Sequence, residues 1–487
     1  MKLAELLNGL AECKLDLEIE GLCLDSRKIR AGDVFLAVNG GLQHGLKHAP
    51  QALTNGAIAI IYDPEGVDNA KLYTGNSPAI AVNDLSLKLG AIASRFYGSP
   101  SSKLAVVGIT GTNGKTTCSQ LLAQALENCG VIGTLGWGRP GDLQPTANTT
   151  PDALETQFIL RQFAAQGLSA AAMEVSSHGL QQGRVGCVEF TGAVFTNLSR
   201  DHLDYHGTME EYLRAKLGLF TVSGLRFAVV NLDDANSEAV LNALDPTVEC
   251  WGFSTSGWRA DECECIVADK VEHHDNGISF DVHWRGQSLR ADTPIAGVFN
   301  LQNVLTVLCV LLAMKTPFAQ AVAKLAHLKP VNGRMEKFGG NGKPAVFVDY
   351  AHTPDALEKV LQSAKCEGQL WAIFGCGGDR DKGKRPEMGR IAETCADHVV
   401  LTDDNPRSEA PVAIIEDILS GCSSDKVRVI NDRKQAITTT ILRAAANDCV
   451  VVAGKGHENY QEIAGIKLPF SDQDVVREAL ASWGECA

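Results

Sequence analysis

Several things are missing from this sequence, and each absence narrows what the protein can be. No run of about 18 or more apolar residues occurs, so a membrane-spanning helix is not expected. The opening stretch MKLAELLNGLAECKLDLEIEG meets acidic residues too soon for a secretory signal, and none is expected. The 15 cysteines lack metal-ligand spacing. The tightest pair, Cys263 and Cys265, has no second Cys or His pair at zinc-finger distance, so the expectation is reduced thiols in a cytoplasmic enzyme. Basic residues are in deficit: a net charge of −14 argues against a broad nucleic-acid surface, and any anionic ligand must be met by local Lys and Arg. Internal repeats and low-complexity segments are also absent, and a chain 45% hydrophobic and 21% charged is ordinary globular material rather than disordered.

At 487 residues the chain is too long for one ordinary core, and two to four domains are expected. Residues 1–100 hold short apolar runs such as DVFLAV and AIAIIYD between Gly, Asn and Asp, and read as a small α/β unit. The connection YGSPSSKL, Tyr97 to Leu104, marks a boundary. From there to about residue 331, near-continuous apolar strands (AVVGIT, SAAAMEV, GAVFTNL, RFAVVNL) alternate with amphipathic stretches, which predicts a parallel sheet covered on both faces. The Pro- and Gly-bearing LKPVNGRMEKFGGNGKP is a second boundary. Residues 332–487 then repeat the strand–helix pattern with AVFVDY, LWAIFG, HVVLTDD and DCVVVAGKG, predicting a second, doubly wound parallel sheet. The fold class is α/β, in three domains.

The stretch LAVVGITGTNGKTTCSQLLAQAL runs strand, Gly-rich turn, Lys-Thr, helix. Backbone N–H groups in such a turn, with the helix N-terminus behind them, favour a phosphate. Lys115 supplies charge for the terminal phosphates and Thr116 a hydroxyl for Mg²⁺. The loop departs from the generic form, because Ile109 stands where a first glycine is usual. Glu174 falls at the end of an apolar strand, where a parallel sheet positions functional groups and a carboxylate can hold Mg²⁺. After a second strand, Asn197, Asp201, His202, Asp204 and His206 crowd one segment, a pattern that suits a metal or phosphate site or a plain loop.

The motifs GTNGKTT, NTTPD, MEVSSHGL, TNLSRDHLDYHG, GVFNLQN, GRME, VDYAHTPDAL, FGCGGDRDKGKR, DDNPR and GKGHE follow one another in the order seen in the Mur ligases of peptidoglycan synthesis. The chain resembles that family over nearly its whole length. The resemblance implies three domains: residues 1–100 for the UDP end of the substrate, 101–331 a P-loop ATPase, and 332–487 a Rossmann-like domain for the incoming amino acid. It implies amide formation driven by ATP and Mg²⁺, in which a D-Glu carboxylate becomes an acyl phosphate and an amine then displaces phosphate. The implied substrates are UDP-N-acetylmuramoyl-L-Ala-D-Glu, ATP and an amino acid. A monomer without nucleic-acid or membrane partners is expected.

Residue roles follow from the same resemblance. Gly111, Thr112, Asn113, Gly114, Lys115, Thr116 and Thr117 would cradle the ATP phosphates, and Asn300 and Asn303 would lie near adenine. Whether that segment or the loop near Trp251 shapes the adenine pocket stays open. Arg334 and Asp349 would reach the nucleotide from the third domain, which requires the domains to close. Thr116 and Glu174 would hold one Mg²⁺ and His202 a second. Lys216 aligns with the lysine the family carries as a carbamate (N6-carboxylysine), a further Mg²⁺ ligand; on periodicity alone it reads as a solvated helix lysine. Leu24, Ser26, Gly41, Leu42 and Gln43 match uridine and pyrophosphate contacts, and Asn148, Thr149, Thr150, Ser176, Gln182 and Arg184 match contacts to the muramoyl peptide. From its own residues, NTTPD reads as a helix cap, with Thr150 before Pro151 at the first turn.

The amino-acid site is implied to comprise Arg380, Asp404, Asn405, Pro406, Arg407, Gly454 and Glu458. In isolation Asp-Asn-Pro is a turn and Arg407 faces solvent. In the family the residue after Asn-Pro separates acceptors. Arg grips the second carboxylate of meso-diaminopimelate with two hydrogen bonds, whereas lysine offers it only a like charge. The expectation is therefore diaminopimelate. Lys382, Lys384 and Arg385 read as a basic loop that steers anions. The alternatives are a lysine-adding ligase, which Arg407 disfavours, a folate polyglutamate ligase, which the N-terminal domain disfavours, and an ATP-binding regulatory protein, which needs neither His202 nor Lys216.

Overall fold

The computed structural model describes residues 1–40, 43–274, 277–364 and 367–484. The chain divides into two compact units. The first comprises Met1–Gly108, Glu127–Ala193 and Thr221–Leu225; the second, Ile109–Leu126, Val194–Phe220 and Arg226–Ala487. Both are α/β with largely parallel sheets, the class expected from the apolar runs.

In the first unit, Gly21–Cys23, Asp33–Ala37, Ala59–Tyr62 and Ala79–Ala81 form a four-stranded parallel sheet in chain order. Side chains alternate across a strand, so Val34 and Leu36 enter one core while Phe35 and Ala37 enter another. Helix Leu85–Tyr97 covers the first face with Leu85, Leu89, Ile92 and Ala93, a three-to-four spacing that makes one apolar stripe. It closes at Gly98, inside the segment read as a boundary. Further along, Ala170–Glu174 pairs in parallel with Cys129–Gly133, which continues antiparallel into Gly136–Arg139 and Asp142–Gln144. Helix Ala153–Ala165 starts two residues later than expected. Its cap is Asp152, whose side chain accepts from Glu155 N, and Thr150 is engaged elsewhere.

In the second unit, strands Phe227–Asn231, Glu249–Ser254 and Glu264–His274 run parallel, and the antiparallel Gly277–Trp284 and Gln287–Thr293 extend them. Helix Asn300–Ala313 packs on this sheet and on helix Lys115–Ala125, and is buried nearly all round. The reading of wholly reduced cysteines is corrected here: Cys250 and Cys263 form a disulfide. The parallel register sets Trp251 opposite Glu264, so the residues one step earlier face each other, a neighbourhood that a separation of 13 in sequence does not reveal.

The rest of the second unit is a six-stranded sheet in the order Glu336–Gly339, Ala345–Asp349, Cys449–Ala453, Leu370–Phe374, His398–Leu401, Val427–Val429, all parallel except the first. Phe347, Ala372 and Val451 face a core shared with helices Pro354–Ser363, Lys384–Cys395 and Pro411–Leu419. Val346, Ile373 and Val450 face one shared with Arg433–Arg443 and Asp472–Ala481. This is the doubly wound arrangement expected, and it opens its functional loops at the carboxyl ends of the strands.

One ion pair lies wholly inside that second core. Arg433 Nε and Nη2 each donate to Asp472 at 2.8 Å, and both side chains are fully buried. Removing one partner strands a buried charge. Asp472→Ala is expected to lower the unfolding free energy by about 3–5 kcal/mol, read by chemical denaturation followed through Trp371 and Trp483, which border this core. A change within about 0.5 kcal/mol, the range of a neutral surface substitution, would remove the pair from the fold's supports.

Candidate active site

Strand Ala105–Thr110 leads through the loop into helix Lys115–Ala125. Gly111 and Gly114 have φ of +148° and +86°, where side chains are disfavoured. A Cβ on Gly111 would also strike Thr196 Oγ1, and one on Gly114 would meet Asn303 Oδ1. The loop is pinned from the 196–199 segment: Thr112 N donates to Asn197 O (2.9 Å), Asn113 N to Asn197 Oδ1 (2.9 Å), and Thr196 Oγ1 to Asn113 O (2.6 Å). Lys115 Nζ folds back onto Gly111 O and Thr112 O, each at 2.8 Å. Thr116 is buried and its hydroxyl accepts from Arg334 Nη2 at 2.9 Å. Arg334 also stacks over Tyr350 at 4.6 Å, and the neighbouring Asp349 accepts from Met335 N and Ala351 N at 2.7 Å each. Arg334 thus touches the first turn of the helix after the phosphate loop at Thr116, while Asp349 braces the backbone at Met335 and Ala351.

Lys216 departs most from its own sequence pattern. It is 1% exposed rather than solvated. Its Nζ donates to Gly111 O at 2.9 Å and lies 4.3 Å over the Tyr212 ring. Burial, and then the nearby Lys115 charge, push its amine well below the usual lysine range, with Asp201 opposing. Asp201 is buried beside His202 (3.3 Å), His352 (3.9 Å) and Lys384 (3.9 Å). Burial raises its carboxyl, but the surrounding cationic groups prevail and hold it well below the ordinary range.

A cavity is lined by Gly114, Phe253, Phe299, Gln302, Asn303 and Thr306, among others. Both segments left open in sequence contribute, the start of helix Asn300–Ala313 and strand Glu249–Ser254 beyond Trp251. The aromatic rings were not singled out from sequence, because nothing local separates a cavity Phe from a core Phe. Asn300 and Asn303 are buried and linked, Asn303 Nδ2 donating to Asn300 Oδ1 at 2.8 Å.

In the first unit, Glu174 ends its strand and is buried. It accepts from Thr134 N (2.9 Å) and Thr134 Oγ1 (3.0 Å), and Thr134 Oγ1 also meets Thr149 Oγ1 at 3.0 Å. Thr150 Oγ1 donates to Glu174 O and accepts from Ser176 N, both at 2.9 Å. Arg184 Nη1 donates to Thr150 O at 2.9 Å and its Nη2 to Gln182 Oε1 at 2.6 Å. Thr149, Thr150, Glu174, Ser176, Gln182 and Arg184 are therefore one cluster, with the exposed Asn148 beside it in sequence. In the N-terminal sheet region Ser26 is buried and donates to Gln51 Oε1 at 2.7 Å, while Leu24 is half-buried. Gln43 is exposed and meets His48 Nε2 at 2.8 Å. Gly41 and Leu42 lie outside the described residues.

The remaining residues sit at the carboxyl ends of parallel strands. Asp404, Asn405 and Pro406 are buried after His398–Leu401. A Cβ on Gly454 (φ +113°) would strike Asp404 Oδ2, so this close approach needs glycine. Asn405 Nδ2 donates to Glu458 Oε2 at 2.8 Å. Arg407 does not simply face solvent: Nη1 donates to Gly378 O at 2.6 Å, and Nε lies 3.6 Å from Glu462. A Cβ on Gly377 would lie 2.8 Å from Arg407 Nη1 and 3.8 Å from Arg380 Cγ, which places the exposed Arg380 next to Arg407. The anion-steering reading of the preceding loop is corrected. Lys384 and Arg385 are buried, and Arg385 is clamped by Glu409 and Asp417; only Lys382 is exposed.

Among the described residues no group of three or more His, Cys, Asp and Glu is placed to hold a metal ion. The hydroxyl of Thr116 in the second unit and the carboxylate of Glu174 in the first are each hard oxygen donors, the class of ligand that suits Mg²⁺. In that sense the residues present fit the ion. No helix is long and apolar enough to cross a membrane among the described residues.

The chain matches three family models: "Mur ligase family, catalytic domain" over residues 18–97, "Mur ligase middle domain" over 109–311, and "Mur ligase, glutamate ligase domain" over 333–456. It is 48% identical over 480 residues to the UDP-N-acetylmuramoyl-L-alanyl-D-glutamate–2,6-diaminopimelate ligase of Pseudomonas aeruginosa, covering 97% of each chain. It is 44% identical over 472 residues to the enzyme of that name in Coxiella burnetii, covering 96% of each. A solved structure bearing the same name aligns at TM-score 0.69 and 36% identity over 99% of both chains. The MurF ligase from Thermotoga maritima in complex with ADP shares the fold at TM-score 0.68 and 21% identity, over 96% of this chain and 98% of that one. The chain belongs to the Mur ligase family, and is an ATP-dependent ligase that forms amide bonds.

His457 gives a pH test of the loop after strand Cys449–Ala453. Burial first, then the Arg334 and Lys455 charges, push its imidazole down to about 3, and its Nδ1 has no partner among the described residues. The folded state therefore binds fewer protons than the unfolded one, so stability holds above pH ~6.5 and falls as pH drops toward ~3. His457→Phe is expected to flatten that fall, measured as unfolding free energy at a series of pH values. An unchanged slope would mean that the ring titrates normally in the folded protein.

Proposed function

We propose that the chain adds meso-2,6-diaminopimelate to the D-Glu carboxylate of UDP-N-acetylmuramoyl-L-alanyl-D-glutamate, in cytoplasmic peptidoglycan precursor synthesis, as a monomer. The observation that carries the acceptor assignment is Arg407. Its guanidinium is held by Gly378 O above a loop whose buried Asp404 and Asn405 reach Glu458 and Gly454. The far end of diaminopimelate is an ammonium and a carboxylate on one carbon. Arg407 and Arg380 suit the carboxylate, and Asp404 and Glu458 suit the ammonium. The names of the relatives at 44–48% identity agree.

In this reading residues 1–100 bind the UDP end through Leu24, Ser26, Gly41, Leu42 and Gln43. Residues 101–331 bind ATP and the muramoyl peptide, the latter through Asn148 and the Thr149–Arg184 cluster. Residues 332–487 bind the amino acid. The D-Glu carboxylate attacks the γ-phosphorus and ADP leaves; the amine then attacks the acyl carbon and phosphate leaves. Phosphate is a far better leaving group than oxide, which is what ATP contributes. The loop from Gly111 to Thr117 offers its N–H groups, Lys115 turns from its own carbonyls to the phosphates, and Arg334 and Asp349 complete the nucleotide site. The cavity at Asn303, Phe253 and Phe299 suits adenine. Mg²⁺, when bound, neutralises phosphate charge; Thr116, Glu174, His202 and a Lys216 carbamate would hold it. The lowered Lys216 amine supports this role, because only the neutral form adds CO₂.

Phosphate release from ATP with the UDP-dipeptide substrate, comparing meso-diaminopimelate with L-lysine, tests the whole reading. Release with diaminopimelate alone is expected; release with lysine alone overturns the acceptor, and none with either overturns the ligase. Arg407→Ala is expected to raise KM for diaminopimelate about 5- to 150-fold, equivalent to about 1–3 kcal/mol, with KM for ATP little changed. Lys216→Ala is expected to lose at least about 100-fold in kcat and to recover part of it with short carboxylates such as acetate, a loss comparable to that of other charge-stabilising groups. Full activity without rescue would remove Lys216 from the mechanism.

A further inference from the structure

The loop after strand Cys449–Ala453 carries a lysine that no step above employs. Lys455 is fully buried. Its Nζ donates to Asn405 Oδ1 at 2.9 Å and lies 3.1 Å from Glu458 Oε2. Asn405 Oδ1 also accepts from Glu462 N at 2.9 Å, and its Nδ2 donates to that same Glu458 oxygen. With a cation and a backbone N–H on the carbonyl side, the Asn405 amide can stand only one way round. A second buried cation lies behind. Arg433 is bound to Asp472 and to Ala453 O (2.8 Å), while its Nη1 has no partner among the described residues. A Cβ on Gly454 would strike Asp404 Oδ2 and would lie 3.9 Å from Arg433 Nη2. Three carboxylates, Asp404, Glu458 and Asp472, therefore face two cations, Lys455 and Arg433, and one negative charge is left over.

We propose that Lys455 is a positioning residue that sets acceptor specificity: it holds Asn405 and Glu458 in place and keeps the pocket floor at a single net negative charge. Such a floor takes one ammonium, and Arg407 beside it takes the carboxylate on the same carbon. A cationic side chain lacking the carboxylate meets both Arg407 and the fixed charge of Lys455, and is rejected. Without Lys455 the floor carries two uncompensated carboxylates, and the penalty on a purely cationic acceptor falls. The inference rests on the diaminopimelate reading above.

The test compares wild type, Lys455→Met and Lys455→Gln, each with meso-diaminopimelate and with L-lysine, reading kcat and KM for the amino acid and for ATP. Both variants are expected to raise KM for diaminopimelate and to narrow the diaminopimelate-to-lysine ratio of kcat/KM by at least about tenfold, with KM for ATP within about twofold. Gln keeps a donor for Asn405 but no charge, so a wild-type ratio in Lys455→Gln overturns the charge argument. An unchanged ratio in Lys455→Met overturns the proposal outright. So does a parallel loss of kcat, both KM values and thermal stability in both variants, the signature of a lysine needed only for folding. A wild type that accepts lysine and not diaminopimelate would instead overturn the reading on which the proposal rests.

Discussion

The carbonyl of Gly111 accepts from two lysines, Lys115 at 2.8 Å and Lys216 at 2.9 Å, and much of the second unit follows from that constraint. Two ammonium groups so close to one oxygen, one of them fully buried, repel strongly in a medium that screens poorly. Lys115 has a second carbonyl, Thr112 O, to hold its charge. Lys216 has the face of Tyr212 and the more remote Asp201. Burial and the neighbouring Lys115 therefore push the Lys216 amine, which faces the phosphate loop, well below the usual lysine range. The glycine at 111 is tied to the same arrangement, because its carbonyl points at both lysines only with a backbone angle that other residues resist and in a space that Thr196 closes to a Cβ.

The same economy of charge governs the region around the six-stranded sheet. The chain carries an excess of acid overall, yet Arg385, Arg433, Lys384 and Lys455 are all buried in one domain. None is placed to steer ligands. Arg385 is clamped by Glu409, whose Oε1 also accepts from Asp379 N, and Asp379 in turn holds Ser408, the residue after Arg407. The left-handed backbone at Arg407 (φ +51°) is thus fixed from both sides, by this network and by Glu462 O, which accepts from Arg407 N. A guanidinium on a braced loop loses little entropy when a carboxylate arrives.

What the sequence disclosed and what it hid divide along a physical line. Strands buried on both faces, such as Ala105–Thr110 and Cys449–Ala453, announce themselves as continuous apolar runs, and the residues at their carboxyl ends follow. The two antiparallel strands Gly277–Trp284 and Gln287–Thr293 did not, because they alternate apolar residues (Ile278, Phe280, Val282; Leu289, Ala291) with polar ones and so contain no continuous apolar run. Lys216 looked solvated, since its helix Met209–Leu217 buries only Tyr212 and Lys216 and so has no apolar stripe to betray the inward face. Lys384 and Arg385 misled in the same way: a run of basic residues is read as surface, and only the tertiary placement of Asp201, Glu409 and Asp417 makes burial affordable. The order of motifs identified the family, which no one of them could, and the contacts then gave several of the residues named from it partners that no local pattern contains.

One chain of contacts joins the two ends of the second unit. Thr116 Oγ1 is bound by Arg334, whose guanidinium lies over Tyr350; the Tyr350 ring lies 5.1 Å from that of His457, and Glu458 follows. A ligand that recruits the Thr116 hydroxyl must displace Arg334 Nη2 or share with it, and the guanidinium can then turn toward phosphate oxygens without leaving the Tyr350 face. Tyr350 is fixed meanwhile, because its neighbour Asp349 is held by two backbone N–H groups and Gly456 packs against its Cβ. The Gly111–Thr117 loop and the loop after strand Cys449–Ala453 are therefore linked through one aromatic ring. That shared support couples two loops that follow strands of different sheets, Ala105–Thr110 and Cys449–Ala453.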